Sequence, residues 1–292
     1  MTSTPLRSDS VRCSRRHRGI HAHHGSAGRL LIRCALFSYL ALLSACSLNN
    51  GHPGTPAQQL QTRSLTLAGA DFPLYAVEQP GSGQRAHVFI EGDGRPWRSG
   101  GRLIADDPTP RRTPLLEQMR RTPGPALYLG RPCYFGQRSE ACHPMLWTFS
   151  RYSEQVLQSM HTGLLQWLGQ HPDIRELTLV GHSGGGILAL LLAERIPQAD
   201  AVIAMATPVD TDRWADLHGY TRLFGSINPA RQPHWRPGVS RHLLYGQQDR
   251  QVPADIFLPI AQRIPEAQVQ LVEDAGHGCC AEYQRFFTSA EL

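Results

Sequence analysis

The 292-residue sequence predicts an α/β protein with a mostly parallel central sheet of about eight strands flanked by helices. Two observations carry that prediction. From residue 63 onward, short apolar runs alternate with longer segments of helical character. Strands separated by helices pair in parallel through right-handed crossovers, and the Pro- and Gly-rich stretches fall at strand ends as insertions.

Taken in order, the first two strands are expected near 63–68 and 72–78, joined by the short Ala68 to Asp71 turn as an antiparallel entry. Further strands are expected near 87–91, 126–130, 176–181, 201–207, 241–245 and 269–273. Helices fit 114–122, 150–170, 184–196, 254–264 and 278–288. The longest places Val156, Leu157, Met160, Leu164, Leu165 and Leu168 near helical spacing, a stripe suited to the core. The stretches 93–113, 131–147 and 208–240 are read as insertions that form the rim and lid of a site, because ligands in open parallel sheets bind beyond the carboxyl ends of strands. No internal repeat and no break requiring a second compact domain or a large cap domain is visible.

Charge is unevenly distributed. The net +5 arises in residues 1–45, where seven Arg face the single acid Asp9. The remaining 22 Arg and 23 acids nearly cancel, so a basic nucleic-acid footprint is not supported and no nucleic-acid partner is expected. After the Arg-rich stretch, residues 34–45 form an apolar run of 12, too short to span a bilayer. This run resembles a signal-peptide core, and Leu43-Ser44-Ala45-Cys46 resembles a bacterial lipobox. That resemblance implies a signal peptide over 1–45, lipid attached to Cys46, a tether over 46–62 and an α/β domain over 63–292. It implies export to the periplasmic face of the envelope, with Ser47 favouring the outer membrane. The alternative for the run is a buried N-terminal helix with an incidental cysteine.

Four cysteines remain in the body: Cys133, Cys142, Cys279 and Cys280. An even number in an oxidising compartment favours pairing. Cys133 and Cys142 bracket a short loop that a bridge would stiffen. The adjacent Cys279 and Cys280 leave open a vicinal disulfide or two separate fates. The spacing supplies no C-x-x-C pair, so no metal is expected.

The chemistry centres on Leu177-Thr178-Leu179-Val180-Gly181-His182-Ser183-Gly184-Gly185-Gly186-Ile187, which reads as strand, Gly-x-Ser-x-Gly turn and helix. A serine on such a turn projects above the sheet edge, and the helix start aims free N–H groups at it, making Ser183 a candidate nucleophile. A serine hydroxyl needs a base and a group that orients the base. His277, in Asp274-Ala275-Gly276-His277-Gly278 after the last expected strand, is the best placed of 14 histidines. Asp249, after Leu243-Leu244-Tyr245-Gly246, can accept the far imidazole N–H; Asp210 and Asp212, after the preceding strand, are the alternatives.

The chain order Ser183, Asp249, His277, each just beyond an expected strand, resembles the α/β-hydrolase superfamily over residues 63–290. The resemblance implies a Ser-His-Asp triad, an acyl-enzyme and no cofactor. It also implies an oxyanion hole built from the backbone N–H groups of Gly184 and Asp93, the latter in Glu91-Gly92-Asp93-Gly94, where commoner members have His-Gly. A carboxylate beside a developing oxyanion must turn away or pair, and Arg95 or Arg98 is the expected partner. The implied function is carboxylic ester hydrolysis of a small-molecule acyl substrate. Trp97, Trp147, Trp214 and Trp235, in or beside the insertions, are candidates for an acyl or aryl pocket. Thioesterase, peptidase and perhydrolase chemistry, or a non-catalytic envelope lipoprotein that keeps the fold, are the competing readings.

Overall fold

The structure is a computed structural model that describes residues 62–287. The expected signal peptide over 1–45, the expected lipidation site Cys46 and all of the expected tether over 46–62 except Thr62 lie outside the described residues.

The strands are β1 (Arg63–Ala68), β2 (Pro73–Gln79), β3 (Arg85–Ile90), β4 (Trp97–Arg98), β5 (Leu103–Ile104), β6 (Ala126–Leu129), β7 (Glu176–His182), β8 (Ala199–Met205), β9 (Ser240–Gly246) and β10 (Ala267–Val272). Eight of them form one sheet in the order β1-β2-β6-β3-β7-β8-β9-β10, while β4 and β5 make a small separate hairpin. β2 runs antiparallel to both β1 and β6, and every pairing from β6 to β10 is parallel. The expected antiparallel entry and parallel remainder are both present.

The helices are α1 (Pro114–Met119), α2 (Glu154–Gly169), α3 (Gly184–Ala193), α4 (Thr211–His218) and α5 (Ala254–Ala261). Helix α2 begins at 154 rather than 150 because Ser153 caps it, its hydroxyl accepting from the Val156 N–H. All ten residues of α3 are buried, as expected of the helix that follows a central strand and packs on both β7 and β8.

Two expectations need correction. The stretch 278–288 is not an α-helix; the chain forms a 3-10 turn over Ala281–Phe287, after a loop carrying Gly276 and Gly278. The expected helices did not include one in the insertion 208–240, which carries α4. Asp210 caps that helix by accepting from the Asp212 and Arg213 N–H groups, and Gly219 ends it in the left-handed conformation.

The register of the parallel strands determines where the site can form. Ile90 pairs with Gly181, His182 with Met205, and Gly246 with Val272, so the carboxyl ends of β3, β7, β8, β9 and β10 share one edge of the sheet. Ser183, Asp249, His277 and Asp93 all leave the sheet at that edge.

Candidate active site

Ser183 sits at φ 54° and ψ −122°, a backbone region that residues with a side chain rarely adopt and that costs on the order of 1–3 kcal/mol. Its surroundings hold it there. The Ser183 N–H donates to the Met205 carbonyl at 2.8 Å, and the Ser183 carbonyl accepts from the Gly186 N–H at 3.0 Å. Position 181 must be glycine, because a β-carbon there would collide with the backbone of Gly185 as the chain doubles back into α3.

His277 lies in the loop after β10, and the structure brings it to both expected partners. Its Nε2 is 3.2 Å from Ser183 Oγ, and its Nδ1 is 2.9 Å from Asp249 Oδ2. With Nδ1–H donating to the carboxylate, Nε2 is left to accept the serine proton. The Asp249 side chain is buried, and its other oxygen accepts from the N–H groups of Gln251 at 2.7 Å and Val252 at 2.9 Å. Burial raises the Asp249 pKa, but the hydrogen bond and charge of His277 and these two N–H groups outweigh it and hold the carboxyl below its ordinary range. The loops of acid and base are also joined to each other. The Gln247 N–H donates to the Val272 carbonyl at 2.9 Å, and the Gln248 N–H to the Ala275 carbonyl at 2.8 Å.

The alternative acids are engaged elsewhere. Asp210 caps α4 and accepts from Asn228, and Asp212 pairs with Arg231 at 2.5 Å.

Asp93 approaches the nucleophile from β3. A β-carbon placed on the neighbouring Gly92 would lie 3.6 Å from Ser183 Cβ, so the Gly92-Asp93 backbone passes directly beside the serine. Among the described residues, neither the Asp93 N–H nor the Gly184 N–H donates a hydrogen bond. The Asp93 carboxylate does pair, but not with Arg95 or Arg98. Arg131 Nη1 reaches Oδ1 at 2.8 Å and Arg151 Nη1 reaches Oδ2 at 2.7 Å. Arg98 instead pairs with Asp106 at 2.9 Å. Burial pushes the Asp93 carboxyl up, yet the two guanidinium charges and the Tyr152 hydroxyl pull it far below the carboxylate range, so it is ionised.

His182 and Glu91 were not expected to matter at this site. His182 Nε2–H donates to the His277 carbonyl at 2.7 Å, and the two rings lie 5.2 Å apart. Enclosure and the neighbouring His277 push the His182 imidazole down to about 4, so it is neutral at physiological pH. Glu91 is buried, accepts from the Leu115 N–H at 2.9 Å, and is pushed up to about 7, chiefly by burial.

Of the four candidate tryptophans, Trp97 and Trp214, both within the insertions, each join an aromatic group. Trp97 packs edge-on against Phe149 at 5.8 Å, and Phe149 stacks at 5.1 Å on Phe224, which is 72% exposed. Trp147 is buried with its indole N–H on the Ala105 carbonyl, Trp214 packs on His218 and Tyr220, and Trp235 lies under the Arg241 guanidinium.

Cys133 is bonded to Cys142, and Cys279 to Cys280. Among the described residues, no group of three or more His, Cys, Asp or Glu side chains could hold a metal ion.

Similarity to known proteins lies in shape rather than sequence. No protein-family model matches the chain, and no curated protein matches it in sequence. An esterase from Pyrococcus furiosus superposes over 78% of this chain and 88% of its own, with a TM-score of 0.55 at 12% identity. The chain has the α/β-hydrolase fold. A puromycin-hydrolyzing peptidase from Mycobacterium tuberculosis and an acylaminoacyl peptidase from Pyrococcus horikoshii also superpose on this chain. The first has a TM-score of 0.57 at 17% identity and the second 0.54 at 12% identity. The matches cover 81% and 79% of this chain but only 39% and 40% of the peptidases. The chain spans about two fifths of their length.

Proposed function

We propose that this chain is a serine hydrolase that cleaves carboxylic esters through an acyl-enzyme. The observation that carries this reading is the unbroken relay from Ser183 Oγ to His277 to the buried Asp249, at 3.2 and 2.9 Å. In the first stage His277 Nε2 takes the serine proton as Oγ attacks the carbonyl carbon, and Asp249 stabilises the imidazolium that forms. The N–H groups of Gly184 and Asp93 then donate to the tetrahedral oxyanion, each donor worth about 3–4 kcal/mol in the transition state. His277 returns its proton to the departing alkoxide. In the second stage water, deprotonated by the same imidazole, releases the acyl group. The α/β-hydrolase fold is compatible with this reading and, by itself, equally with peptidase or thioesterase chemistry.

The protein is proposed to be exported and tethered to the membrane by lipid on Cys46, a reading supported by the Arg-rich flank, the short apolar run and the Leu43-Ser44-Ala45-Cys46 sequence. Growth with labelled palmitate should mark wild type and not Cys46→Ser; equal labelling would remove the anchor. For the enzyme reading, a p-nitrophenyl ester series assayed with wild type and His277→Ala is the test. Hydrolysis that survives in the alanine variant would exclude the proposed base.

A further inference from the structure

The residues around Asp93 form a built polar core immediately behind the proposed oxyanion site. Both carboxylate oxygens of Asp93 are within reach of the Tyr152 hydroxyl, at 2.8 and 2.7 Å, in addition to the two arginines. The backbone of the same loop is held as well. Tyr134 OH donates to the Asp93 carbonyl at 2.9 Å, and Arg131 Nη2 donates to the Glu91 carbonyl at 3.2 Å. Arg151 is itself oriented by its Nε–H, which donates to the Thr148 carbonyl at 2.5 Å. The peptide groups that flank Gly92 and Asp93 are therefore pinned from the segment after β6, and the Asp93 side chain is held from there and from the entry to α2.

The cluster also touches the other proposed donor. A β-carbon on Gly184 would collide with Asp93 Oδ1 and the Tyr152 hydroxyl, so these atoms pack directly against the first residue of α3. Its charge points the same way. Two guanidinium groups, each with a side chain no more than 6% exposed, face one carboxylate, and the tyrosines stay neutral because burial raises both of them, Tyr134 to about 12. One arginine would suffice to neutralise Asp93. The second leaves an excess positive charge while Glu91, the other buried carboxyl that interacts with Arg131, is protonated, and a low local dielectric makes that charge felt by a nearby anion.

We propose that Arg131, Arg151 and Tyr152 are positioning residues that act through Asp93, aiming its N–H at the tetrahedral oxyanion and placing a net positive charge behind it. This rests on the serine-hydrolase reading above. It assigns to the cluster an effect on the transition state that is not shared with the bound substrate.

The test is kinetic and uses the full protein. Arg151→Met, Arg151→Lys and Tyr152→Phe are compared with wild type for kcat and KM on a p-nitrophenyl ester and for the Ki of a short alkylboronic acid, which becomes tetrahedral and anionic on Ser183. Thermal unfolding is recorded for each variant. The expected result is a fall in kcat of about tenfold or more for Arg151→Met, with KM changed less than about threefold. Boronate affinity should weaken by the same factor as kcat/KM, Arg151→Lys should recover part of the loss, and Tyr152→Phe should show a smaller loss with the same proportionality. A merely structural role would shift the unfolding temperature without linking boronate affinity to kcat/KM. If Arg151→Met does not fold, Tyr152→Phe decides, since it removes a single hydroxyl. An active wild type whose Tyr152→Phe and Arg151 variants keep kcat and boronate affinity within about threefold would overturn this proposal and leave the hydrolase reading intact. A wild type that neither cleaves esters nor binds boronate would overturn both.

Discussion

His182 donates from Nε2 to the main-chain carbonyl of His277 at 2.7 Å, so the residue next to the proposed nucleophile holds the loop of the proposed base. The bond requires a proton on Nε2, and the depressed His182 pKa keeps the ring neutral while it makes that bond.

This has a consequence for stability. The folded His182 titrates at about 4, against 6.5 when exposed, and His87 in β3 is likewise pushed down to about 4 by burial. As pH falls below 6.5 the unfolded chain takes up protons that the folded chain refuses. The stabilisation is present above pH 6.5 and lost progressively down to about 4, on the order of 3 kcal/mol per histidine at most. Urea unfolding of His182→Gln between pH 4 and 7 should give a shallower dependence than wild type; an unchanged slope would exclude this origin.

Glu91 acts with the opposite sign. Its folded pKa of about 7 lies above the ordinary 4.5, so its protonated form is accommodated below pH 4.5, and stability declines as pH rises through 7. Glu91→Gln keeps an acceptor for the Leu115 N–H and cannot ionise. It should match wild type at pH 4 and exceed it by about 1–3 kcal/mol at pH 8, measured by urea unfolding. Equal stability at pH 8 would contradict the assignment.

Asp249→Asn should preserve the fold, because the amide oxygen can still accept from Gln251 and Val252. It would present the wrong hydrogen-bonding face to His277 Nδ1 and favour the wrong tautomer. A loss in kcat of about a thousandfold or more is expected, with KM little changed. Retention of activity within about tenfold would place the orienting role elsewhere.

The Cys133–Cys142 bridge closes a loop with a sequence separation of 9. Chain-entropy arguments give such a loop about 2–3 kcal/mol. The Cys133→Ser, Cys142→Ser double variant should lose about that much in denaturant unfolding, and no loss would mean that packing alone holds the loop.

The sheet was legible because each parallel strand is an apolar run followed by a helix, and every expected main-sheet strand appears within two residues of its place. The positions of Ser183, Asp249 and His277 followed from that register, since residues just beyond parallel strands must share one edge. Helix α4 was missed although Asp210 and Gly219 mark its two ends; in a Pro- and Gly-rich stretch those residues read equally well as turns. The partners of Asp93 were misjudged because Arg95 and Arg98 are near in sequence. Arg131 and Arg151 arrive from separate loops whose fold places them, and no local pattern encodes that meeting. His182 was hidden because its role depends on where the His277 carbonyl lies.

Ser183 is the proposed nucleophile, activated by His277. Labelling of the purified protein with a fluorophosphonate probe, compared with Ser183→Ala, tests this role most directly. Wild type should be modified rapidly and covalently at Ser183 and the alanine variant not at all; an unlabelled wild type, or equal labelling of both, would exclude Ser183 as the nucleophile.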